Sequence, residues 1–205
     1  MFGLPKSTEI NKPLPKKVVF DTFNLKPADR RLFDEQINRM TIVAEISPQT
    51  VSVAASGDVS AVFVILVTLK VPECDKKNIA LLSKLIDQRM IFALRYEGDV
   101  RLAVYRAGRV LLSQSKPLEE WKLSLSGLDL GAVWEKIIAE IGGVDLAGGK
   151  DLDETIAASE RRDKLTGQIA ALEQKAMNEQ QPRRKWEDAE EIKRLKAELE
   201  ELNNG

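Results

Sequence analysis

The residues in this chain that could do chemistry are few, and their types narrow the field at once. There is no histidine, and there is one cysteine, Cys74. Ser-His and Cys-His nucleophilic catalysis, histidine general bases and nearly every zinc site are therefore excluded. Ala147-Gly148-Gly149-Lys150 lacks the spacing of a phosphate-cradling loop and does not sit between a strand and a helix. What remains is carboxylate or lysine chemistry, an oxygen-ligand Mg²⁺ site, or no catalysis. The single cysteine also rules out an intrachain disulfide.

One order of elements bears on the Mg²⁺ option. From Ala28 to Glu97 the chain reads helix, strand, strand, strand, helix, strand, which is the core order of restriction-endonuclease-like nucleases. Such enzymes hold Mg²⁺ with an acid on the second strand and an acid-x-Lys on the third. Here the second strand, Thr50 to Ala55, has no carboxylate, although Asp58 follows it. The third strand ends Thr68-Leu69-Lys70, with threonine where the acid should stand, and Glu45 lies on the strand before. The site looks absent. No residue is assigned as catalytic and no cofactor or metal is expected. Glu45, Asp58 and Lys70 are kept as the alternative reading, an active or degenerate nuclease.

The elements that would position such groups radiate from Val59 to Lys70, VSAVFVILVTLK, the longest apolar run in the chain. Its β-branched residues suit a strand covered on both faces. It is far shorter than the roughly 20 residues a membrane-spanning helix needs. Before it, Met1 to Pro15 reads as an extended arm carrying three prolines, laid over the domain by Phe2 and Leu4. Lys16 to Phe23 and Ala28 to Met40 read as helices, the second with Leu32, Phe33, Ile37 and Met40 at helical spacing. Thr41 to Ser47 and Thr50 to Ala55 alternate as strands and, with the central one, predict an antiparallel meander.

After the central strand, Asp75 is placed to cap a helix running to about Arg89. Met90 to Glu97 is the next strand, and the intervening helix predicts a right-handed crossover that sets it parallel to the central one. Val100 to Arg106 and Arg109 to Ser115 follow across the Gly98-Asp99 and Ala107-Gly108 turns. Leu118 to Leu125 reads as an edge strand or as a loop carrying Trp121. Leu128 to Ile141 is an amphipathic helix, and Gly142-Gly143 ends it. The fold class is α+β: a mixed, mostly antiparallel sheet with flanking helices in residues 1–147.

Val144 to Lys150 reads as a linker. Beyond it the composition turns to Ala, Glu, Lys, Leu and Arg. Leu165, Ile169, Leu172 and Ala176 are spaced four, three, four, and Ile192, Leu195, Leu199 and Leu202 three, four, three. These are the spacings of a coiled-coil seam. Pro182 breaks the pattern, so residues 151–205 should form an antiparallel helical hairpin, Asp151 to Met177 and Lys185 to Leu202. About two heptads per helix is marginal alone. The hairpin is therefore expected to dock on the domain, on a partner, or on a second copy as a homodimer.

Charge is nearly balanced over the chain, at −1 from 31 basic and 32 acidic residues. It is uneven along it: residues 1–150 carry 21 basic and 18 acidic, residues 151–205 carry 10 and 14. This balance argues against a protein that coats nucleic acid or membrane by global charge. Locally, Lys12, Lys16, Lys17, Arg30 and Arg31 make the arm and first helices basic, a candidate for weak nucleic-acid contact. Arg183, Arg184 and Lys185 precede Trp186 at the hairpin tip, a pairing of cations and an aromatic that could meet nucleic acid or a partner. Trp186 packing at the start of its helix is the plainer reading. Met1 to Lys17 has no apolar core of a secretory signal, so the cytoplasm is the expected compartment.

The opening FGLPKST…LPKK, the stretch IVAEISPQTVSV, the segment ending DQRMIFALRY and the late RRKWEDAEEIKRLKAEL resemble the prokaryotic family called domain of unknown function 4391. The family has no assigned activity and no catalytic residues to carry over. The resemblance implies an accessory role beside helicases and DNA methyltransferases in restriction-like or phage-defence gene clusters. The expectation is a non-catalytic interaction subunit that docks on such a protein through the hairpin. Its contact residues would be Leu165, Ile169, Leu172, Arg183, Arg184, Trp186, Ile192, Leu195 and Leu199.

Overall fold

The central run does form the middle of a sheet. In the computed structural model, which describes residues 1–144 and 151–204, it supplies β3 (Val62–Leu69), with β2 (Ile37–Ile46) antiparallel on one side and β4 (Arg89–Tyr96) parallel on the other. Val62, Val64, Ile65 and Val67 are fully buried. Consecutive side chains point to opposite faces, so burial of the whole run requires cover on both. The sheet is six-stranded in the order β1-β2-β3-β4-β5-β6, with β1 Glu9–Leu14, β5 Asp99–Arg106 and β6 Arg109–Pro117. Every other neighbouring pair is antiparallel. The chain divides into two compact units, Met1–Asp145 and Leu146–Gly205.

One face is covered by α1 (Lys16–Thr22), α2 (Pro27–Gln36) and α3 (Lys76–Leu82). Their buried Val19, Phe33, Ile79 and Leu82 join Ile65, Val67, Phe92 and Leu94 in one core, and Phe20 meets Phe33 edge-on at 5.6 Å. On the opposite face α4 (Leu130–Gly142) packs against β5 and β6. It is capped by Asp129, whose carboxylate accepts from Ala132 N–H, and ends at Gly143 in the left-handed region, φ 64°. That conformation is cheap only for glycine.

The structure corrects several boundaries. The arm is not merely extended. Residues 9–14 pair with β2 as an edge strand, with a register shift between Glu9 and Lys12 and Asn11 at φ 54°. Its polar residues and Pro13 hide the strand from periodicity, and they are the devices that blunt an exposed edge. Phe2 and Leu4 are buried as expected. The helix read to Met40 stops at Gln36. Ile37 and Met40 are buried, but on β2. The Gln36 side chain there accepts hydrogen bonds from Asp75 N–H and Asn78 Nδ2, and its carbonyl accepts from Lys70 N–H.

Thr50 to Ala55 is not a strand. The Thr50 hydroxyl donates to the Glu45 carbonyl and accepts from Ser47 N–H, closing a tight turn. The loop that follows makes only isolated bridges, Ala54 with Asp129 and Ser56 with Val59. The meander is thus β1-β2-β3, one strand earlier than the alternation suggests. The helix capped by Asp75 ends at Leu82, not near Arg89. Trp121 sits in a loop after a short 3₁₀ turn, buried, with its indole N–H on the Val100 carbonyl at 2.9 Å. Beyond Val144, the expected linker lies outside the described residues.

The second unit is an antiparallel pair, α5 (Leu152–Asn178) and α6 (Pro182–Asn204). Leu165, Ile169 and Leu195 are buried between them, flanked by Leu172, Ile192, Leu199 and Leu202. Arg161 to Glu198 at 2.6 Å, Lys196 to Glu173 at 2.7 Å and Lys175 to Asp188 at 2.8 Å cross the pair and fix its antiparallel register. The Arg161–Glu198 and Lys196–Glu173 pairs are exposed and contribute about 0–1 kcal/mol each, so the apolar seam dominates. Pro182 is the first residue of α6, a position where its missing N–H costs nothing.

The β5–β6 turn offers a test of local strain. Ala107 and Gly108 both have positive φ, 47° and 81°. Alanine pays for this conformation and asparagine tolerates it. Ala107→Asn is expected to stabilise the chain by about 1 kcal/mol, read as a higher urea midpoint at unchanged m.

Candidate functional site

The three residues of the nuclease reading are not brought together. Glu45 is half-buried on β2 opposite Phe63, at the start of β3. Lys70 lies just past the other end of β3, roughly 20 Å along the strand at ~3.3 Å per residue. Its Nζ donates to the Asp34 carbonyl at 2.7 Å. Asp58 is exposed in the turn before β3 and lines a small polar cavity of about 330 Å³ with Ser60, Asp87 and Arg89. Among the described residues, no group of three or more Cys, Asp or Glu is placed to hold a metal ion. Thr68, where a nuclease acid would stand, has its hydroxyl buried without a partner.

A larger cleft, about 800 Å³, opens where β3 and β4 end. Tyr96 and Leu69 line it beside Glu73, Asp75, Asp99 and Arg101. Cys74 is there too, with its thiol pushed up to about 12 by burial and then by the Asp75 carboxylate. A thiol so protonated is no nucleophile at neutral pH.

The basic residues of the first helices are partly committed to folding. Lys16 is hydrogen-bonded to the Asp34 carboxylate, and that bond, with the Lys16 and Lys70 charges, holds Asp34 below the ordinary aspartate range. A depressed carboxyl pKa stabilises the fold above that range, and the contribution fades as pH falls through the folded-state value. Arg30 lies over the Phe20 ring at 4.6 Å. Lys12, Lys17 and Arg31 are exposed.

The hairpin separates its residues into two groups. Ile169, Ile192 and Leu199 belong to the seam between α5 and α6 and are satisfied within the chain. Leu165, Leu172 and Leu195 share that seam, and they also floor a furrow of about 810 Å³ along one side of the stem. Arg183, Arg184 and Trp186 are outside the seam. Trp186 is not packed against its helix but 66% exposed, and Met177 across the turn is 81% exposed. Sequence spacing identifies the seam. The furrow depends on which side of the paired helices Ala157 and Ala171 leave open, which spacing alone does not show.

Fold and site together define an α+β protein with a helical hairpin and no gathered catalytic constellation among the described residues. A family model, the domain of unknown function 4391, matches residues 2–199. The chain belongs to that family. No curated protein and no solved structure matches it. None of its described helices is long and apolar enough to cross a membrane.

Two outcomes follow from the geometry. Cys74 should resist a thiol reagent such as dithionitrobenzoate at pH 8 in the folded chain and react within minutes in denaturant; equal rates in both conditions would contradict its burial. In a plasmid-nicking assay with Mg²⁺, Asp58→Ala should leave the signal where the unaltered chain has it. A loss of nicking confined to that variant would restore the nuclease reading.

Proposed function

We propose that this chain is a non-catalytic accessory subunit of a nucleic-acid-processing system of the restriction or phage-defence type. It docks through its C-terminal hairpin on a protein of the helicase or DNA methyltransferase class. The observation that carries the reading is the hairpin itself. Its seam is closed in cis, yet the furrow beside it keeps an apolar floor of Leu165, Ala171, Leu172 and Leu195. A furrow between two antiparallel helices accepts a third by the same side-chain interdigitation that joins the first two. Its rims carry both signs, Arg161 and Lys164 against Glu191 and Glu198, so an amphipathic helix with mixed flanking charges complements it.

The test is capture with the full-length chain as bait in the cell that encodes it. A helicase or methyltransferase should be retained by the unaltered chain and lost with Ala171→Arg, which fills the furrow with a good helix former. Circular dichroism would confirm that helix content is unchanged. Capture of no such enzyme, or equal capture by the variant, would refute docking at the furrow.

A further inference from the structure

Separately from the furrow, we infer that the hairpin tip is a contact for single-stranded nucleic acid. Trp186 offers its ring to a base while Arg183, Arg184 and Lys185 meet the phosphates on either side. The inference rests on the tip's own geometry, and it deepens the accessory role by giving the subunit its own hold on the substrate.

Three features of the tip point the same way. The first is the ring. Trp121 and Trp134 are each 5% exposed, whereas Trp186 is 66% exposed. The Lys175–Asp188 pair sets the register there, so Met177 and Trp186 each lie two residues nearer the turn, both exposed to solvent. The seam stops short of them. Nothing in the folding of the hairpin uses this indole.

The second feature is the cations. Arg183 bonds only Glu187, one turn on, and its side chain is 91% exposed. The Arg184 and Lys185 side chains have no hydrogen-bond or ion-pair partner among the described residues. All three stand in the first turn of α6, which contains no acid. Cations there oppose the helix macrodipole, and a docked anion removes the conflict. The third feature is contrast. Residues 151–205 carry 10 basic and 14 acidic side chains, so the net charge of the hairpin is acidic and the tip is where three cations stand in consecutive positions.

Cations alone would fit any polyanion. The exposed indole narrows the class, because a single strand presents unpaired bases that stack on an aromatic face, whereas a duplex keeps its bases inside. Three phosphate contacts on a single strand should make log K fall with log salt at a slope of about −2.

Intrinsic fluorescence tests this directly, since Trp186 is the exposed fluorophore and the other two are shielded. The full-length chain is titrated with a thymidine 20-mer at low salt, then with the matching duplex and with heparin. The expected result is saturable quenching by the single strand, with weaker binding of the duplex. Because substitution of Trp186 removes the reporting indole, the variants are compared by the anisotropy of a dye-labelled thymidine 20-mer: Arg184→Glu with Lys185→Glu should weaken binding about tenfold or more, Trp186→Ala about tenfold, and Trp186→Phe little. Absence of saturable quenching, equal binding by Trp186→Ala, or tighter binding of duplex or heparin would overturn the inference. Trp186→Ala should still capture the protein partner, and Ala171→Arg should still bind the oligonucleotide. Failure at the tip is therefore distinguishable from failure at the furrow.

Discussion

The globular unit depends on the two-sided burial of β3. A strand whose Val62, Val64, Ile65 and Val67 are all removed from water must have its backbone groups paired on both edges, because an unpaired buried amide costs about 1–3 kcal/mol. β2 and β4 supply those partners. The parallel partner requires a crossover, and α3 is that crossover. The crossover helix covers one face, so α1 and α2 complete that face and α4 is left to cover the other. Gln36 binds the scheme at one end of the sheet. Its side chain and carbonyl together hold the start of α3 and the end of β3.

That constraint also explains why no constellation of acids assembles on the sheet. Charged groups are tolerated only where a strand meets solvent, so Glu45, Asp58 and Lys70 fall at separate places along β2, before β3 and after it. The interior position at Thr68 takes a neutral hydroxyl in place of a charge. Even that is left unsatisfied, whereas a buried unpaired carboxylate would cost far more. What the sheet excludes, the second unit displays: its charged groups and Trp186 stand on helices whose seam residues are already paired.

Where one face or one seam is buried, the sequence is legible. β3 and β4 follow from apolar runs, β5 and β6 from period two, and the seam from Leu165 to Leu202 from three-four spacing, because burial writes itself into residue type. Residues 9–14 were illegible for the opposite reason. An edge strand is selected to look unlike a strand, with Lys12 and Pro13 where an inner one would carry valine. Thr50 to Ala55 misled because Val51 and Val53 alternate, yet the Thr50 hydroxyl turns the chain away before pairing can begin. Ile37 and Met40, three apart, have a helical spacing, and it is a register shift between Ile37 and Arg39 that brings both into one core from a strand. At the hairpin tip, Trp186 was visible as a residue type, but its exposure was not, since a tryptophan at a helix start more often packs.

The closed seam changes what the hairpin is suited to do. A helix that folds only on its partner pays for ordering at the moment of binding. Here Leu165, Ile169 and Leu195 are already buried in cis, so that cost is met before any encounter, and a partner gains the furrow and the tip as preformed surfaces. The tightening is incomplete near the turn. Asp188 is 8% exposed, and only one of its carboxylate oxygens is bonded, to Lys175. A buried, half-satisfied carboxylate weakens the helix pair next to Trp186 and Met177. The stem is therefore the rigid part, held by leucines, and the last turns before the tip are the part with least to lose by adjusting to what they touch.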